Sequence, residues 1–443
     1  MLKIAGLCII IAATTPLWSQ VEPSGSGGSI SVGDSRMMTP PPVGGGAYPG
    51  TVGSDERSNY LAGGLVFTGA YIDNLMEESV TSPISDETYS FLPTIRFDRR
   101  TPRQLQSLSY SSGFTLYQNT SQLNSVAQDA TASYQFRISP YAVLVLQDTF
   151  RQNNNLYNQS NPFTAGGVSG TPGQSNAALI SPYQNQLTNS SSAGVHYQYA
   201  KNAMIGGSGS YSFQQFSAPV SVSGLNNEGT AGASGFFSRR IAGSHYVGVT
   251  YQFSKFVTHP IDTYTLTQTA FGFYTHYFTQ SFSVSILGGP EHYITWSPTA
   301  PSQAAWTPAV EASLGWQTLR ANVAATYAHM VSGAGGLIGT YHSDTAGLTG
   351  RLAFSRTWGG GANVNYARFN SVNSNAAIAF GTGGNSIFGG MYLDHRITER
   401  VSAQAGYGHF HQDFAGIPAA STFPDSNRVN ISITYQFNRP LGR

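Results

Sequence analysis

The chain has 443 residues and a formal net charge of +1, and only 10% of its residues are charged. Soluble domains carry roughly 25% charged residues, and disordered chains do not favour the 25 Tyr and 25 Phe found here. Beyond the N-terminus there is no run of about 20 apolar residues of the kind that a membrane-spanning helix needs. The small net charge also predicts no nucleic-acid partner. These properties favour a membrane β-barrel, in which apolar residues recur at every second position.

Residues 1–19 predict a secretory signal peptide, with Lys3, an apolar core and a polar tail. The alternative is a lipoprotein signal with Cys8 as the lipidated residue, but Leu7 precedes Cys8 and the apolar run continues past it. Because Cys8 is the only cysteine, we expect neither a disulfide nor a thiolate metal site in the mature chain. Residues 20–59 are rich in Gly, Pro and Ser and predict a disordered periplasmic linker, with a short plug as the alternative.

A repeated pattern of strand, short turn and strand fills residues 60–437. Eight such turns, most of them bearing a cation, lie near residues 101, 139, 202, 242, 280, 319, 358 and 398. A spacing of about 40 residues is also that of propeller blades, but here each period holds two strands instead of four. With a first strand at 61–72 and a last at 429–437, the prediction is an all-β barrel of eighteen strands with both ends on the periplasmic side. Sixteen strands are the alternative, because three segments do not divide into two faces: 141–150, 264–278 and 387–393.

The last strand alternates most clearly. Val429, Ile431, Ile433, Tyr435 and Phe437 are apolar, and the residues between them are small or polar. One face therefore suits lipid and the other suits water. The strand resembles the C-terminal strand of bacterial outer-membrane β-barrels, whose terminal aromatic residues are recognised by the barrel-insertion machinery. This resemblance implies that Tyr435 and Phe437 form the assembly signal and that residues 438–443 are a short tail.

The overall pattern is similar to the β-barrel porins of Gram-negative outer membranes. Residues 108–117, residues 134–141 and the last strand carry the resemblance, which covers about residues 60–437. It implies a transmembrane antiparallel up-and-down β-barrel in the cell outer membrane, in contact with outer-membrane lipid, with no cofactor and no enzymatic activity. General porins are trimers, so a homotrimer is one expected assembly.

Charged side chains within the strands should face the lumen, because a charge in the lipid band is costly. The alternation assigns six of them to the pore lining: Arg96, Asp98, Asp129, Arg137, Glu311 and Arg351. Opposed charges would create a transverse field that favours polar solutes, and ion pairs that stiffen the wall are the alternative. Arg368 shares its face with Val364 and Tyr366, so we expect it above the membrane or beyond a bulge.

The longest connection, residues 152–189, resembles in position the loop that narrows the pore of general porins. It contains no Asp, Glu, Lys or Arg. Amides can bind neutral solutes through hydrogen bonds, and aromatic rings supply flat apolar faces. The residues assigned to this constriction are Asn153, Tyr157, Phe163 and Tyr183, and an ordinary surface loop is the alternative.

Motifs of enzymes are scarce. Gly206 and Gly209 belong to an alternating strand with no helix after it, which disfavours a phosphate-binding loop. His409, His411 and Asp413 share one face and suggest either a metal site or a polar girdle where the strand leaves the membrane. The sequence predicts a porin-like channel for passive or weakly selective diffusion of small hydrophilic solutes. The alternatives are a non-conducting barrel that partners an export or surface-polysaccharide assembly system, and an enzyme at the barrel rim.

Overall fold

The computed structural model of the protein describes residues 59–75, 84–153, 185–217, 226–259, 262–279, 281–298, 300–318, 320–333, 340–372, 383–414 and 425–440. The predicted signal peptide, nearly all of the predicted linker and most of the predicted constriction loop lie outside the described residues. Within these ranges, no helix is long and apolar enough to cross a membrane.

Eighteen strands make up the described architecture, and a single 3-10 turn, Ser121–Leu123, lies between the third and fourth. In chain order the strands are β1 (Tyr60–Ile72), β2 (Asp86–Arg100), β3 (Gln104–Tyr117), β4 (Ser125–Arg137), β5 (Ala142–Asn153), β6 (Gln186–Ala200), β7 (Ala203–Phe216), β8 (Asn227–Ala242), β9 (His245–His259), β10 (Thr263–Tyr277), β11 (Phe282–Ser297), β12 (Ala300–Gln317), β13 (Ala321–Ser332), β14 (Tyr341–Ala353), β15 (Trp358–Ser371), β16 (Gly383–Arg396), β17 (Val401–Phe414) and β18 (Asp425–Pro440).

Each strand pairs antiparallel with its neighbours in the chain, and β18 pairs with β1, which closes the sheet into an up-and-down barrel. The closing register places Leu65 opposite Tyr435 and Gly63 opposite Phe437. Closure removes both sheet edges, whose peptide groups could find no hydrogen-bond partner in lipid. The predicted eighteen strands are confirmed. β18 differs from the prediction at its end, because it continues through part of the expected tail to Pro440.

Alternating exposure separates the two faces of the sheet. On β18, Ile431 and Ile433 are 63% and 52% exposed, whereas Ser432 and Thr434 between them are 2% and 1% exposed. Large exposed apolar side chains recur in this way around the whole barrel, and the buried inner face is dominated by Ser and Thr. The outer surface is therefore apolar and the inner surface polar.

The segments that did not divide into two faces do so in the structure. On β10, Phe271 and Phe273 are buried on the inner face, while Gln268 and His276 share the outer face with exposed Tyr274. Apolar residues inside and polar residues outside hide the period of two in the sequence. The alternation of β5 and β16 is obscured in the same way.

The turns at one end of the barrel are short and match the eight predicted positions to within a few residues. At the opposite, outer end the connections vary. The sequence also predicts a long outer connection over residues 296–305. This prediction is wrong, because β11 ends at Ser297 and β12 starts at Ala300. A long outer connection that was not predicted joins Ser371 of β15 to Gly383 of β16.

β13 leaves the barrel wall near its outer end. It pairs with β12 only as far as His329 opposite Val310, although β12 continues to Ala300. Beyond that point the backbone N–H of Val331 donates a 2.8 Å hydrogen bond to the carboxylate of Glu291 on β11. The outer end of the β13–β14 hairpin, described at residues 330–333 and 340, therefore leans across the outer end of the lumen toward β11.

Candidate functional site

The lumen has a packed side and an accessible side. Inner side chains of β10 to β12 form an apolar cluster of Phe271, Phe273, Leu287 and Ala309, with Met330 of the β13–β14 hairpin packed against it. The inner side chains of β4, β5 and β6 are mostly half-exposed. The accessible part of the lumen therefore lies along β4 to β6, while the apolar cluster and Met330 occupy the side of β10 to β12.

Uncharged polar side chains line the accessible wall in adjacent cross-strand rows. One row holds Thr131, Thr149 and Ser190, and the next holds Ser133, Gln147 and Ser192. Each of these groups both donates and accepts hydrogen bonds, and none carries a charge. We call these six residues the polar track.

One ion pair lies directly beside the polar track. Asp129 and Arg151 are cross-strand neighbours on β4 and β5, and the Arg151 Nε lies 3.3 Å from the Asp129 Oδ2. Both side chains are about a third exposed, so the pair contributes at most about 1 kcal/mol to stability. Its main consequence is that the wall carries no net charge here. Sequence reasoning missed Arg151 because the faces of β5 were not resolved.

The other predicted pore-lining residues also share the inward face. Arg96 pairs with Asp98 on β2, with 2.6 Å between Nε and Oδ2. Arg137 is exposed at the periplasmic end of β4, and Arg351 is half-buried on β14. Their predicted role in lining the pore rests on this placement and remains a prediction.

Glu311 faces inward but lies on the packed side. It is 1% exposed and stands opposite Leu287, and among the described residues neither of its carboxylate oxygens has a hydrogen-bond partner. Glu291, which sequence reasoning missed, is 2% exposed on the same side and accepts a 3.2 Å hydrogen bond from the Thr269 hydroxyl. Glu291 thus anchors the β13–β14 hairpin, whereas Glu311 does not.

Two further contacts hold the hairpin in the lumen. The carboxylate of Glu228 on β8 lies against Gly333, and the Thr340 hydroxyl bonds that of Thr265 on β10. Because these contacts join segments far apart in the sequence, no local pattern signals them. The structure therefore provides a narrowing element other than the predicted constriction loop.

The predicted constriction loop is described only at its start. Asn153 is the last residue of β5 and pairs with Gln186 of β6, whereas Tyr157, Phe163 and Tyr183 lie outside the described residues. In the order of the strands, this loop is the third outer connection. Its role as a constriction stays a prediction.

Polar residues collect at the outer rim on the outer face. Arg368 lies opposite Asp344 in an unbroken ladder, so the expected bulge is wrong and the residue is near the outer end of β15. His409 and His411 face Asp425, with N–O distances of 3.8 and 3.0 Å. No group of three or more His, Cys, Asp or Glu within the described residues is arranged to hold a metal ion.

No family model and no curated protein matches this sequence. Among solved structures, Pseudomonas aeruginosa OpdO is 10% identical, with 86% of this chain and 97% of that chain covered and a TM-score of 0.42. Acinetobacter baumannii OccAB3 is 8% identical, with coverage of 86% and 99% and a TM-score of 0.40. The ferric citrate transporter FecA in the unliganded form is 9% identical, with coverage of 87% and 80% and a TM-score of 0.40. At these values the similarity does not extend to function.

The surface of the barrel defines its environment. The sheet closes on itself, and side chains such as Leu65, Phe67 and Ile433 stand exposed on its outside. An apolar belt around a closed barrel with a polar interior is the arrangement that a lipid bilayer requires of spanning strands. The chain is therefore a transmembrane β-barrel of the outer-membrane class.

Proposed function

We propose that the barrel is a channel through which small, uncharged hydrophilic solutes diffuse passively or with weak selectivity. The observation that carries this proposal is the polar track, a continuous set of hydroxyl and amide groups on the accessible wall of β4 to β6. A polyhydroxylated solute passing along it exchanges hydrogen bonds with water for hydrogen bonds with the wall. Side chains of this kind select for hydrogen-bonding capacity without selecting for charge.

The neighbouring charges support a neutral solute. Asp129 is neutralised by Arg151, and Arg96 by Asp98, so neither pair presents a single sign of charge to the lumen. The third outer connection, which starts at the outer end of the same wall, contains no charged residue. Apart from Arg137 at the periplasmic end of β4, electrostatic attraction of a charged solute is therefore weak along this side of the barrel.

The β13–β14 hairpin supports a small solute. An eighteen-stranded barrel is wide enough for an aqueous channel. The hairpin and the apolar cluster below it fill the side of β8 to β12, so the open cross-section is smaller than that of the whole barrel. Sugars of one or two rings suit such a passage better than larger oligomers.

Planar bilayer recordings test the proposal. The folded protein should give stepwise ion conductance, and added monosaccharide or disaccharide should reduce the current by occupying the polar track. Replacing Thr131 and Thr149 together with Val should weaken this block several-fold, because Val keeps the volume and removes the hydroxyl. The matched control is Thr267→Val on the buried side of the barrel, which should leave the block unchanged.

Two results would contradict the proposal. If folded, heat-modifiable protein gives no conductance, the barrel is not an open channel and the non-conducting partner of an export or surface-polysaccharide system becomes the better hypothesis. If conductance is present but sugars block wild type and the Thr131→Val, Thr149→Val variant equally, the polar track does not contact the solute.

A further inference from the structure

An apolar hollow lies on the outer face of β8 to β10. Its volume is about 620 Å³, within the range of about 300–1,000 Å³ for pockets that bind small molecules. Three side chains exposed on the outer face border it, namely Phe237, Val249 and Tyr251. Gly235 and Gly272 leave its floor bare, because a Cβ atom added at either one would meet no heavy atom closer than 3.9 Å. The hollow is therefore open space that faces the membrane.

A polar cluster follows the hollow on the same three strands. Arg239 comes two residues after Phe237 on β8, and His245 of β9 is the cross-strand partner of His276 of β10. The His245 Nδ1 lies 2.7 Å from the Tyr274 hydroxyl, and the two imidazole rings stack with 4.1 Å between their centres. On each strand these residues are closer to the short periplasmic turn than the hollow is. The order toward the periplasm is therefore an apolar hollow and then a cationic, hydrogen-bonding cluster.

Arg239 supplies a positive charge that the described part of the chain does not neutralise. Its side chain is exposed, and no carboxylate of the described residues forms an ion pair with it. His245 lies two residues beyond Val247, the cross-strand partner of Arg239. Such diagonal neighbours are roughly 7–8 Å apart, a distance that a long side chain spans. A long cationic side chain near the end of a membrane strand extends its charge to the lipid headgroups, where phosphate is the available anion.

We propose that the outer face of β8 to β10 binds a phospholipid of the periplasmic leaflet, with its phosphate at Arg239 and His245 and one acyl chain in the hollow. The ligand needs an anion at the periplasmic surface and an apolar chain that points toward the middle of the membrane, which is the order of groups in such a lipid. The guanidinium binds phosphate through two parallel hydrogen bonds. When the Tyr274 hydroxyl donates to Nδ1 of His245, the ring hydrogen is on Nε2, which then donates to the phosphate.

Native mass spectrometry of the full-length protein in mild detergent measures the binding. Phosphatidylglycerol should bind at one site, whereas diacylglycerol with the same chains and glycerol phosphate without chains should each bind at least about tenfold more weakly. Arg239→Gln removes the charge and Gly272→Leu fills the hollow, and each should weaken binding of phosphatidylglycerol by about tenfold while the protein remains heat-modifiable.

Two substitutions elsewhere on the barrel are matched controls. Arg356→Gln removes an exposed cation from another periplasmic turn, and Gly350→Leu adds a side chain on the outer face of β14, where a Cβ atom meets nothing within 4 Å. Both should bind phosphatidylglycerol as the wild type does. The proposal is overturned if diacylglycerol binds equally well, if Arg239→Gln or Gly272→Leu binds like the wild type, or if the controls weaken binding as much.

Photolabelling in a bilayer separates this site from general contact with lipid. The full-length protein is folded into phosphatidylcholine vesicles that contain a trace of phosphatidylglycerol or of diacylglycerol, each with the same photoreactive acyl chain. The ratio of labelling on β8 to β10 to labelling on β1 to β3 should be higher for phosphatidylglycerol, and Arg239→Gln should abolish the difference. Equal ratios for the two lipids in the wild type, or a difference that persists in Arg239→Gln, would refute recognition of the phosphate.

Discussion

Replacing Glu291 with Leu should release the β13–β14 hairpin from the barrel wall. The Glu291 carboxylate accepts hydrogen bonds from the Val331 backbone at 2.8 Å and from the Thr269 hydroxyl at 3.2 Å. All three residues are buried, so water does not replace the lost partners. Leu has a similar volume and no acceptor, which makes this substitution a test of the hydrogen bonds more than of the packing.

The expected size of the effect follows from those two bonds. Each intramolecular hydrogen bond contributes about 1 kcal/mol, and a buried N–H left without a partner costs about 1–3 kcal/mol. Some of this loss is offset because Leu spares the burial of a carboxyl group. A net destabilisation of about 2 kcal/mol changes the ratio of attached to detached hairpin by about thirtyfold.

Glu311 supplies the matched control on the next strand. It is also buried, yet it bonds neither the hairpin nor any other described residue through its carboxylate oxygens. Glu311→Leu should therefore raise the free energy of unfolding, by about 1–3 kcal/mol, because an unpartnered polar group leaves an apolar site. The two substitutions remove the same chemical group and should change stability in opposite directions.

Single-channel recording and denaturant unfolding from lipid vesicles measure both consequences. Glu291→Leu should give larger or more strongly fluctuating conductance and admit larger sugars, and it should unfold at lower denaturant concentration. Glu311→Leu should keep the wild-type conductance and unfold at higher concentration. The assignment of Glu291 as the anchor is refuted if its substitution leaves conductance unchanged, or if both variants widen the channel equally.

Two further sets of substitutions test the lumen charges and the closing strand. Asp129→Asn removes the negative charge beside Arg151 and should shift the reversal potential in a KCl gradient toward anion preference, whereas Arg151→Gln should shift it toward cation preference. Phe437→Ser and Gly63→Ile should both lower the heat-modifiable fraction in the outer membrane, because the Phe437 ring lies over Gly63. Deleting residues 441–443 should leave that fraction unchanged, and a loss there would contradict the role given to the terminal aromatic residue.

The strand number and the inward charges were predictable because they depend on local patterns. A short turn with a cation recurs between strands, and side chains alternate strictly across a strand, so parity alone places Arg96 and Arg351 on the inner face. The end of β18 was placed too early because the polar residues after Phe437 match a tail as well as a strand. Pairing with β1, which extends the strand to Pro440, is not visible in the segment itself.

The inward hairpin could not be predicted, because its contacts are non-local. Glu291 of β11 and Val331 of β13 are joined past the intervening strand β12, and Glu228 and Gly333 lie further apart around the barrel. The same packing buries Phe271 on the inner face, which reverses the usual polarity of β10 and obscures its period. The rule that apolar strand residues face lipid holds only where the lumen is polar. The hairpin gives one side of this lumen an apolar, packed interior.

The cost of a charged side chain on the outer face depends on its depth in the membrane. Alternation along a strand identifies the face but not the depth. Arg368 and Asp148 both break the rule that strand charges face the lumen. Arg368 lies near the outer end of its strand, opposite Asp344, where water reaches the barrel rim. Asp148 lies near the middle of β5, where its Oδ1 accepts hydrogen bonds from Ser191 and Asn189 of β6. The first exception is a property of the rim, and the second is a property of the neighbouring strand, which supplies the hydrogen-bond donors that lipid lacks.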